Sequence, residues 1–195
     1  MCIRDSIWTG SEKSGLTRFD SGGFFTYAVQ DGLPSNKIRS ITQNTNGELV
    51  IACYDAGVAT FDGKKFRLFN EGLDDKRVIT LTEGPNGAIW AGTESAGIGI
   101  LEAGKFTMIK DTDGLGHNEI FSLYYGDGKM WVGTFGGGVS CYSNETWFTL
   151  RESDGLISNT IGAIITSKIG KTFLGGTDGL SIFSENSYSF SVNFE

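Results

Sequence analysis

The chain repeats a set of sequence markers about every 41 residues. One marker is an Asp-Gly-Leu or Glu-Gly-Leu turn, and successive turns are 40, 42 and 41 residues apart. The turns begin at Asp31, Glu71, Asp113 and Asp154. A second marker is a segment of the type Trp-x-Gly-Thr. Its equivalent first positions are Trp8, Val50, Trp90, Trp131 and Phe173. Markers that keep one period along a chain indicate an internal repeat, and a period of 40 to 45 residues is typical of β-propeller blades.

Each copy carries the pattern of several short antiparallel strands. In residues 113–139, an apolar alternation begins at Ile120, a turn follows at Asp127-Gly128, and a second strand begins at Met130. Two alternating segments joined by Asp-Gly predict a β-hairpin. A Gly-apolar pair such as Gly138-Val139 opens a third strand, and an aromatic residue further on marks a fourth. Each copy therefore predicts a four-stranded sheet.

The sequence predicts an all-β fold, a β-propeller of four-stranded antiparallel blades with about five blades present. The predicted propeller segment covers residues 7–195. Its blades span residues 7–28 (a partial blade), 31–70, 71–110, 113–150 and 154–190. Because the first blade lacks its innermost strand, the pattern favours an incomplete ring of a six- to eight-bladed propeller. The alternative is a small ring that the tail at 191–195 closes by pairing with the first blade. Residues 1–6 lie outside the repeat and are interpreted as a non-native or fragment-edge segment.

Composition and charge exclude several classes of protein. The net charge of −7 leaves no basic footprint for nucleic acid. The sequence has no apolar run of 18 residues, so it predicts no transmembrane helix. Residues 1–6 lack the apolar core of a signal peptide. The 29 glycines suit a chain with many tight turns, because glycine adopts positive φ without a steric penalty.

The cysteines do not indicate a metal or redox site. Cys53 and Cys141 fall on predicted strands, and neither belongs to a Cys-x-x-Cys pair. Isolated cysteines on strands are usually small buried residues, and the sequence has no clustered metal-ligand spacing. We therefore expect no metal and no cofactor. Cys2 lies in the segment excluded from the fold.

The repeats resemble the two-component regulator propeller family. The resemblance is carried by Asp-Gly-Leu-Pro-Ser-Asn-Lys-Ile at 31–38, Asn-Gly-Ala-Ile-Trp-Ala-Gly-Thr at 86–93 and Lys-Met-Trp-Val-Gly-Thr-Phe-Gly-Gly-Gly-Val at 129–139. It covers nearly all of residues 7–190.

The resemblance implies a non-enzymatic sensor segment of a bacterial hybrid histidine kinase, on the periplasmic or extracellular side of the inner membrane. It implies an oligosaccharide or another small ligand. It also implies partners in the remaining blades and the kinase portion of a longer receptor, which could act as a dimer. The chain departs from such receptors because it contains no membrane span and no kinase segment of its own.

Candidate ligand-binding residues follow the second strand of each blade. In a propeller, these loops and the turns between blades lie on one face. Equivalent loop positions hold Glu12, Tyr54, Glu94 and Phe135, and Asp55 follows Tyr54. Aromatic rings with carboxylates on one face suit sugar recognition, through stacking and paired hydrogen bonds. The alternative is ordinary variation of exposed loops.

Other repeated residues are expected to be structural. The asparagines Asn36, Asn118 and Asn159 are expected to cap their own turns, as are the aspartates of the Asp-Gly-Leu motif. The repeated tryptophans are expected to pack between blades.

His117 is the only histidine in the chain. Its equivalents are Ser35, Asp75 and Ser158. We include His117 among the candidate ligand-binding residues and predict no catalytic residue. A general base would require an orienting partner, and Glu119 is the nearest carboxylate in sequence. Two alternatives remain: a propeller lyase or hydrolase that uses His117, and a protein-interaction scaffold.

Overall fold

The computed structural model describes residues 6–184, and within them the chain forms five antiparallel sheets. Sheet 1 contains β1 (Ile7–Gly10), β2 (Leu16–Asp20) and β3 (Gly23–Tyr27). Sheet 2 contains β4 (Ile38–Gln43), β5 (Leu49–Cys53), β6 (Gly57–Phe61) and β7 (Phe66–Phe69). Sheet 3 contains β8 (Val78–Glu83), β9 (Ile89–Thr93), β10 (Ile98–Glu102) and β11 (Lys105–Ile109). Sheet 4 contains β12 (Ile120–Gly126), β13 (Lys129–Thr134), β14 (Val139–Ser143) and β15 (Thr146–Leu150). Sheet 5 contains β16 (Ile161–Thr166), β17 (Lys171–Gly176) and β18 (Gly179–Ser184).

Every sheet is a meander in which consecutive strands are hydrogen-bonded neighbours. The only helices within residues 6–184 are short 3-10 turns. They span Val29–Asp31, Pro85–Gly87, Asp111–Asp113 and Glu152–Asp154. The predicted all-β fold of repeated antiparallel sheets is confirmed. Residues 185–190 of the predicted fifth blade, the tail at 191–195 and Cys2 lie outside the described residues.

The chain divides into two compact units, which are treated separately below. Unit 1 consists of Met1–Thr93 and Gly99–Met108, and unit 2 consists of Glu94–Ile98 and Ile109–Glu195. Unit 1 therefore holds sheets 1 to 3 apart from the residues at 98 and 109, and unit 2 holds sheets 4 and 5.

In unit 1, apolar side chains of neighbouring sheets form two core clusters. One joins sheets 1 and 2 around Leu16, Ile51 and Phe61, and the other joins sheets 2 and 3 around Val50 and Ile89. Such continuous burial of both sheet faces is expected where repeats stack, since one sheet cannot cover both of its own faces. The first strands β4 and β8 lie beside each other.

In unit 2, the core lies between sheets 4 and 5. Trp131 of β13 is 2% exposed, and its ring centroid is 5.3 Å from that of Phe183 in β18. In unit 1, the half-buried Trp8 likewise reaches Phe61 of the next sheet, at 5.9 Å. The prediction that these tryptophans pack between repeats is confirmed for both. Cys53 and Cys141 are buried and unpaired, as the sequence predicts.

Candidate functional site

The Asp-Gly-Leu motif builds the turn between successive sheets. In three copies the carboxylate closes the turn by accepting a backbone N–H, as in the 2.9 Å bond from Ala28 to Asp31. The corresponding bonds in the other two copies are Lys110 to Asp113 and Arg151 to Asp154. Gly32 follows with φ of +92°, a conformation that glycine adopts most readily. Leu33 is then buried. The motif is therefore a folding signal, as its periodic recurrence predicts.

The repeated asparagines cap these turns through their side chains. The Oδ1 atom of Asn36 accepts the N–H of Val29 at 3.0 Å. Asn118 and Asn159 make equivalent bonds to Asp111 and Glu152. The prediction of a structural role for these asparagines is confirmed.

The turns between sheets and the loops after the second strands lie at the same end of the sheets in each unit. In unit 1, the N–H of Tyr54 donates to the carbonyl of Lys37 at 2.9 Å. In unit 2, the N–H of Phe135 donates to the carbonyl of Glu119 at 3.0 Å. We call this end the loop face of unit 1 and of unit 2, respectively. Both loop faces have a main-chain framework that does not depend on the exposed side chains.

A β-bulge interrupts the first strand of sheets 2 to 5 at the same repeat position. The register shifts between Ile38 and Ser40 in β4, and between Ile120 and Ser122 in β12. Equivalent shifts occur in β8 and β16. The bulged residues are Arg39, Ile79, Phe121 and Gly162. A bulge re-aims a side chain, and bulges are frequent beside binding sites. These four residues share a backbone position and differ in chemistry.

On the loop face of unit 1, Arg39 contacts two of the predicted site residues. Its Nη2 donates to Oε1 of Glu12 at 3.1 Å. Its guanidinium carbon lies 4.9 Å from the centroid of the Tyr54 ring, within the range of a cation–π contact. The sequence predicted Glu12 and Tyr54 as candidates, and the structure brings them together through Arg39. Arg39 itself was missed.

A second ion pair lies on the same face. Nζ of Lys37 is 3.2 Å from Oδ2 of Asp55. A hydrogen bond from the Ser35 hydroxyl, assisted by Lys37, lowers the pKa of Asp55 below its ordinary value. Asp55 is therefore a carboxylate at neutral pH, with one hydroxyl and one ammonium partner. Lys37 and Arg39 flank the buried Ile38, and both of their side chains are about half exposed.

The loop face of unit 2 is aromatic where that of unit 1 is charged. The ring of Phe121, at the bulge, lies 5.4 Å from that of Phe135, and Phe135 is 48% exposed. A cavity of about 410 Å³ adjoins Phe121. Its other lining residues are Thr160, Gly162, Ala163, Gly175, Gly176 and Thr177. This surface offers hydroxyls and apolar area, and no lining residue is charged.

His117 occupies a turn position at which four copies of the repeat have a side-chain hydrogen-bond acceptor. Its Nδ1 accepts the N–H of Glu119 at 3.1 Å. The side chains of Ser35, Asp75 and Ser158 accept the N–H two residues further on in the same manner. Hydroxyl, carboxylate and imidazole groups therefore fill the same acceptor position. This geometry accounts for His117 as a turn cap.

Glu94, the remaining candidate, is the first residue after β9 and is half-buried. It belongs to the segment Glu94–Ile98 of unit 2. Within residues 6–184, no group of three or more His, Cys, Asp or Glu side chains is placed to hold a metal ion. Among the helices of this range, none is long and apolar enough to cross a membrane.

Comparison with solved structures defines the class of fold. BT3049 from B. thetaiotaomicron, described as the extracellular domain of a hybrid two-component system, has a TM-score of 0.83 and 24% identity over 100% of this chain and 27% of that chain. BT4673 from the same bacterium, described in the same way, has a TM-score of 0.81 and 17% identity over 98% of this chain and 30% of that chain. A catalytically inactive histidine-to-alanine variant of virginiamycin B lyase from Staphylococcus aureus, solved with quinupristin, has a TM-score of 0.73 and 16% identity over 98% of this chain and 67% of that chain.

These structural similarities place the chain among β-propeller repeat proteins. At identities of 16% to 24% they support the fold and assign no function. The chain spans about 27% to 30% of the length of the two bacterial extracellular domains. Residues 114–136 match the family model described as two component regulator propeller, which confirms the resemblance found in the sequence. No curated protein matches the chain.

Proposed function

We propose that this chain is a ligand-binding segment of the extracytoplasmic propeller of a two-component-type signalling receptor, and that its ligand is a saccharide. The similarity to extracellular domains of hybrid two-component systems supports the receptor context. Ligand binding at the loop faces would alter docking or dimerisation of the receptor, and the kinase portion of the longer protein would receive that change.

The observation that carries this proposal is the contrast between framework and loop-face side chains. The turn bonds of the Asp and Asn residues recur from copy to copy, whereas the bulge and loop positions change chemistry. On unit 1 these positions combine Tyr54 with Glu12, Arg39 and Asp55. Planar charged groups beside an aromatic ring suit saccharides, because they form paired hydrogen bonds to hydroxyls while the ring contacts the apolar sugar face.

The test is binding of a panel of defined oligosaccharides, measured by calorimetry and thermal shift. Tyr54→Ala is expected to weaken saccharide binding about tenfold or more, a loss of about 1.4 kcal/mol. Phe24→Ala is the matched control, because Phe24 is a 76% exposed aromatic residue on β3, outside the loop face. Equal affinity of both variants, or binding of a protein partner with no saccharide bound, would refute the proposal and favour an interaction scaffold.

The enzymatic alternative depends on His117, and its geometry favours a structural role. Virginiamycin B lyase shares the fold at 16% identity, which assigns no chemistry to this chain. His117→Ser keeps a turn acceptor, since Ser35 and Ser158 act in the same way. We therefore expect this variant to retain saccharide binding. Turnover of a bound saccharide that disappears in His117→Ser would establish the lyase or hydrolase alternative.

A further inference from the structure

On the loop face of unit 1, two exposed cationic side chains each pair with one carboxylate, Lys37 with Asp55 and Arg39 with Glu12. Lys37 and Arg39 are two residues apart on either side of the buried Ile38. Their side chains are 51% and 43% exposed, so their charged groups are accessible to solvent. The equivalent positions on unit 2 are Glu119 with Phe121 and Thr160 with Gly162, so this pairing of cations belongs to unit 1.

Arg39 contacts Glu12 and Tyr54, and some of its N–H donors remain available to a ligand. Its guanidinium carbon lies 4.9 Å from the centroid of the Tyr54 ring, and Nη2 donates to Glu12. Among residues 6–184, Nε and Nη1 of Arg39 have no hydrogen-bond partner. A guanidinium presents its five N–H groups as a planar fork that matches a carboxylate in bidentate geometry.

Glu12 shows where an external carboxylate would sit. Its carboxylate is an exposed partner of Arg39, with 66% of its side chain accessible. An exposed ion pair of this kind contributes little stability, so displacing Glu12 costs little. The contact between Arg39 and the Tyr54 ring does not involve Glu12, so displacing Glu12 leaves it intact. Glu12 therefore occupies the position beside the Arg39 guanidinium that a ligand carboxylate would take, and a ligand can displace it.

We propose that the loop face of unit 1 binds an anionic saccharide and that the carboxylate of a uronic acid displaces Glu12 from Arg39. The ring of Tyr54 contacts the sugar beside the guanidinium. This inference deepens the proposed function and rests on it, since it specifies the charge of the ligand and the residue that selects it. Arg39 is the residue that determines specificity.

The experiment measures calorimetric affinity for three probes. Trigalacturonate carries the carboxylates, its fully methyl-esterified form has the same sugar skeleton without charge, and a sulfated disaccharide carries the alternative anion. We expect the acid to bind about tenfold more tightly than the ester, the scale expected of a charge-assisted bidentate contact. This preference should diminish as salt is raised.

Two variants with opposite expected effects test the role of Arg39. Arg39→Gln should abolish the preference for the acid over the ester. Glu12→Gln should tighten binding of the acid severalfold and leave the ester unchanged, because it removes the internal competitor. Arg67→Gln and Asp62→Asn are the controls. Arg67 and Asp62 form an exposed ion pair at the β6–β7 hairpin, outside the loop face.

The possible results separate this inference from the proposed function. Failure of all three probes would overturn this inference, and saccharide binding itself would be refuted if the panel of defined oligosaccharides also failed to bind. Binding of the ester as tight as that of the acid, or weaker acid binding by Glu12→Gln, would overturn the inference and leave saccharide binding intact. A preference for the sulfated probe over trigalacturonate would overturn the assignment of the carboxylate.

Discussion

Replacement of Trp131 by alanine tests whether stacking of neighbouring sheets stabilises the fold. Trp131 is 2% exposed in the core of unit 2. Its ring meets Phe183 of sheet 5 at 5.3 Å and Phe148 of its own sheet at 5.9 Å, both edge-to-face. Val139, Cys141 and other apolar residues complete the surrounding cluster. Alanine would leave a cavity between two sheets.

The expected loss is large for a single substitution. Truncation of a buried Phe or Trp to Ala costs about 3–5 kcal/mol, from lost transfer free energy and the residual cavity. For a chain of this size each kcal/mol lowers Tm by roughly 2–4 °C, so Tm should fall by roughly 6–20 °C. Trp131→Phe should cost less, because Phe173 occupies the equivalent position in sheet 5.

Denaturant unfolding followed by circular dichroism measures the loss. Trp8→Ala is the matched control, since Trp8 occupies the same repeat position but is only half-buried. Its effect should be clearly smaller than that of Trp131→Ala. A loss below about 1 kcal/mol for Trp131→Ala, well under the range for core aromatics, would refute the reasoning. An equal loss for both variants would also refute it.

Three further predictions follow from individual contacts. Ser35→Ala should raise the pKa of Asp55, measured by NMR titration, because the Ser35 hydroxyl is the main cause of its lowering. Since the folded-state pKa of Asp55 is lowered, its carboxylate stabilises the fold above the unfolded-state pKa, and this contribution is lost as pH falls through the folded-state pKa. An unchanged pKa of Asp55 in Ser35→Ala would contradict the role given to the Ser35 hydroxyl. Iodoacetamide at pH 8 should spare Cys53 and Cys141 in the folded chain and modify both in urea, because burial raises the pKa of each thiol to about 12. Rapid modification without urea, detected by peptide mapping, would argue against this burial. His117→Ala should cost about 1 kcal/mol of unfolding free energy, the value of a typical hydrogen bond, whereas His117→Ser should cost less; equal losses would exclude the capping role.

The sequence predicts the repeated sheets because several independent signals agree at each copy. The hairpin turn at Asp127-Gly128 shows why. Both residues have positive φ, 51° and 73°, which is the geometry that favours Asp-Gly in a two-residue hairpin. The strands on either side carry apolar residues that pair across the hairpin, such as Leu123 with Val132, so turn chemistry and strand composition specify the same register.

The bulges could not be predicted from alternation alone. A bulge adds one residue to one strand, and the sequence around Phe121 predicts one regular strand from Ile120 to Tyr125. The structure shows that the register shifts there. Alignment of the copies contains a signal, since a buried branched residue such as Ile38 or Ile161 precedes a position that changes from arginine to glycine.

The contacts within the candidate site depend on distances between repeats that periodicity does not encode. Glu12 and Arg39 are 27 residues apart and belong to different sheets. The sequence places Glu12 and Tyr54 on the same face, but it does not show that one guanidinium joins them. The ion pair between Lys37 and Asp55 lies within one repeat, and it was missed because the repeat pattern does not show which side chains meet beside neighbouring strands.

The residues that a repeat needs in order to fold are different from the bulged residue that it presents to solvent. The turn bonds of Asp31 and Asn36 would survive replacement of Arg39, because none of them uses its side chain. Exchange of the bulged residue, or of a whole copy, would therefore change the chemistry of the loop face without a new scaffold. A lineage built in this way could diversify its chemistry one blade at a time.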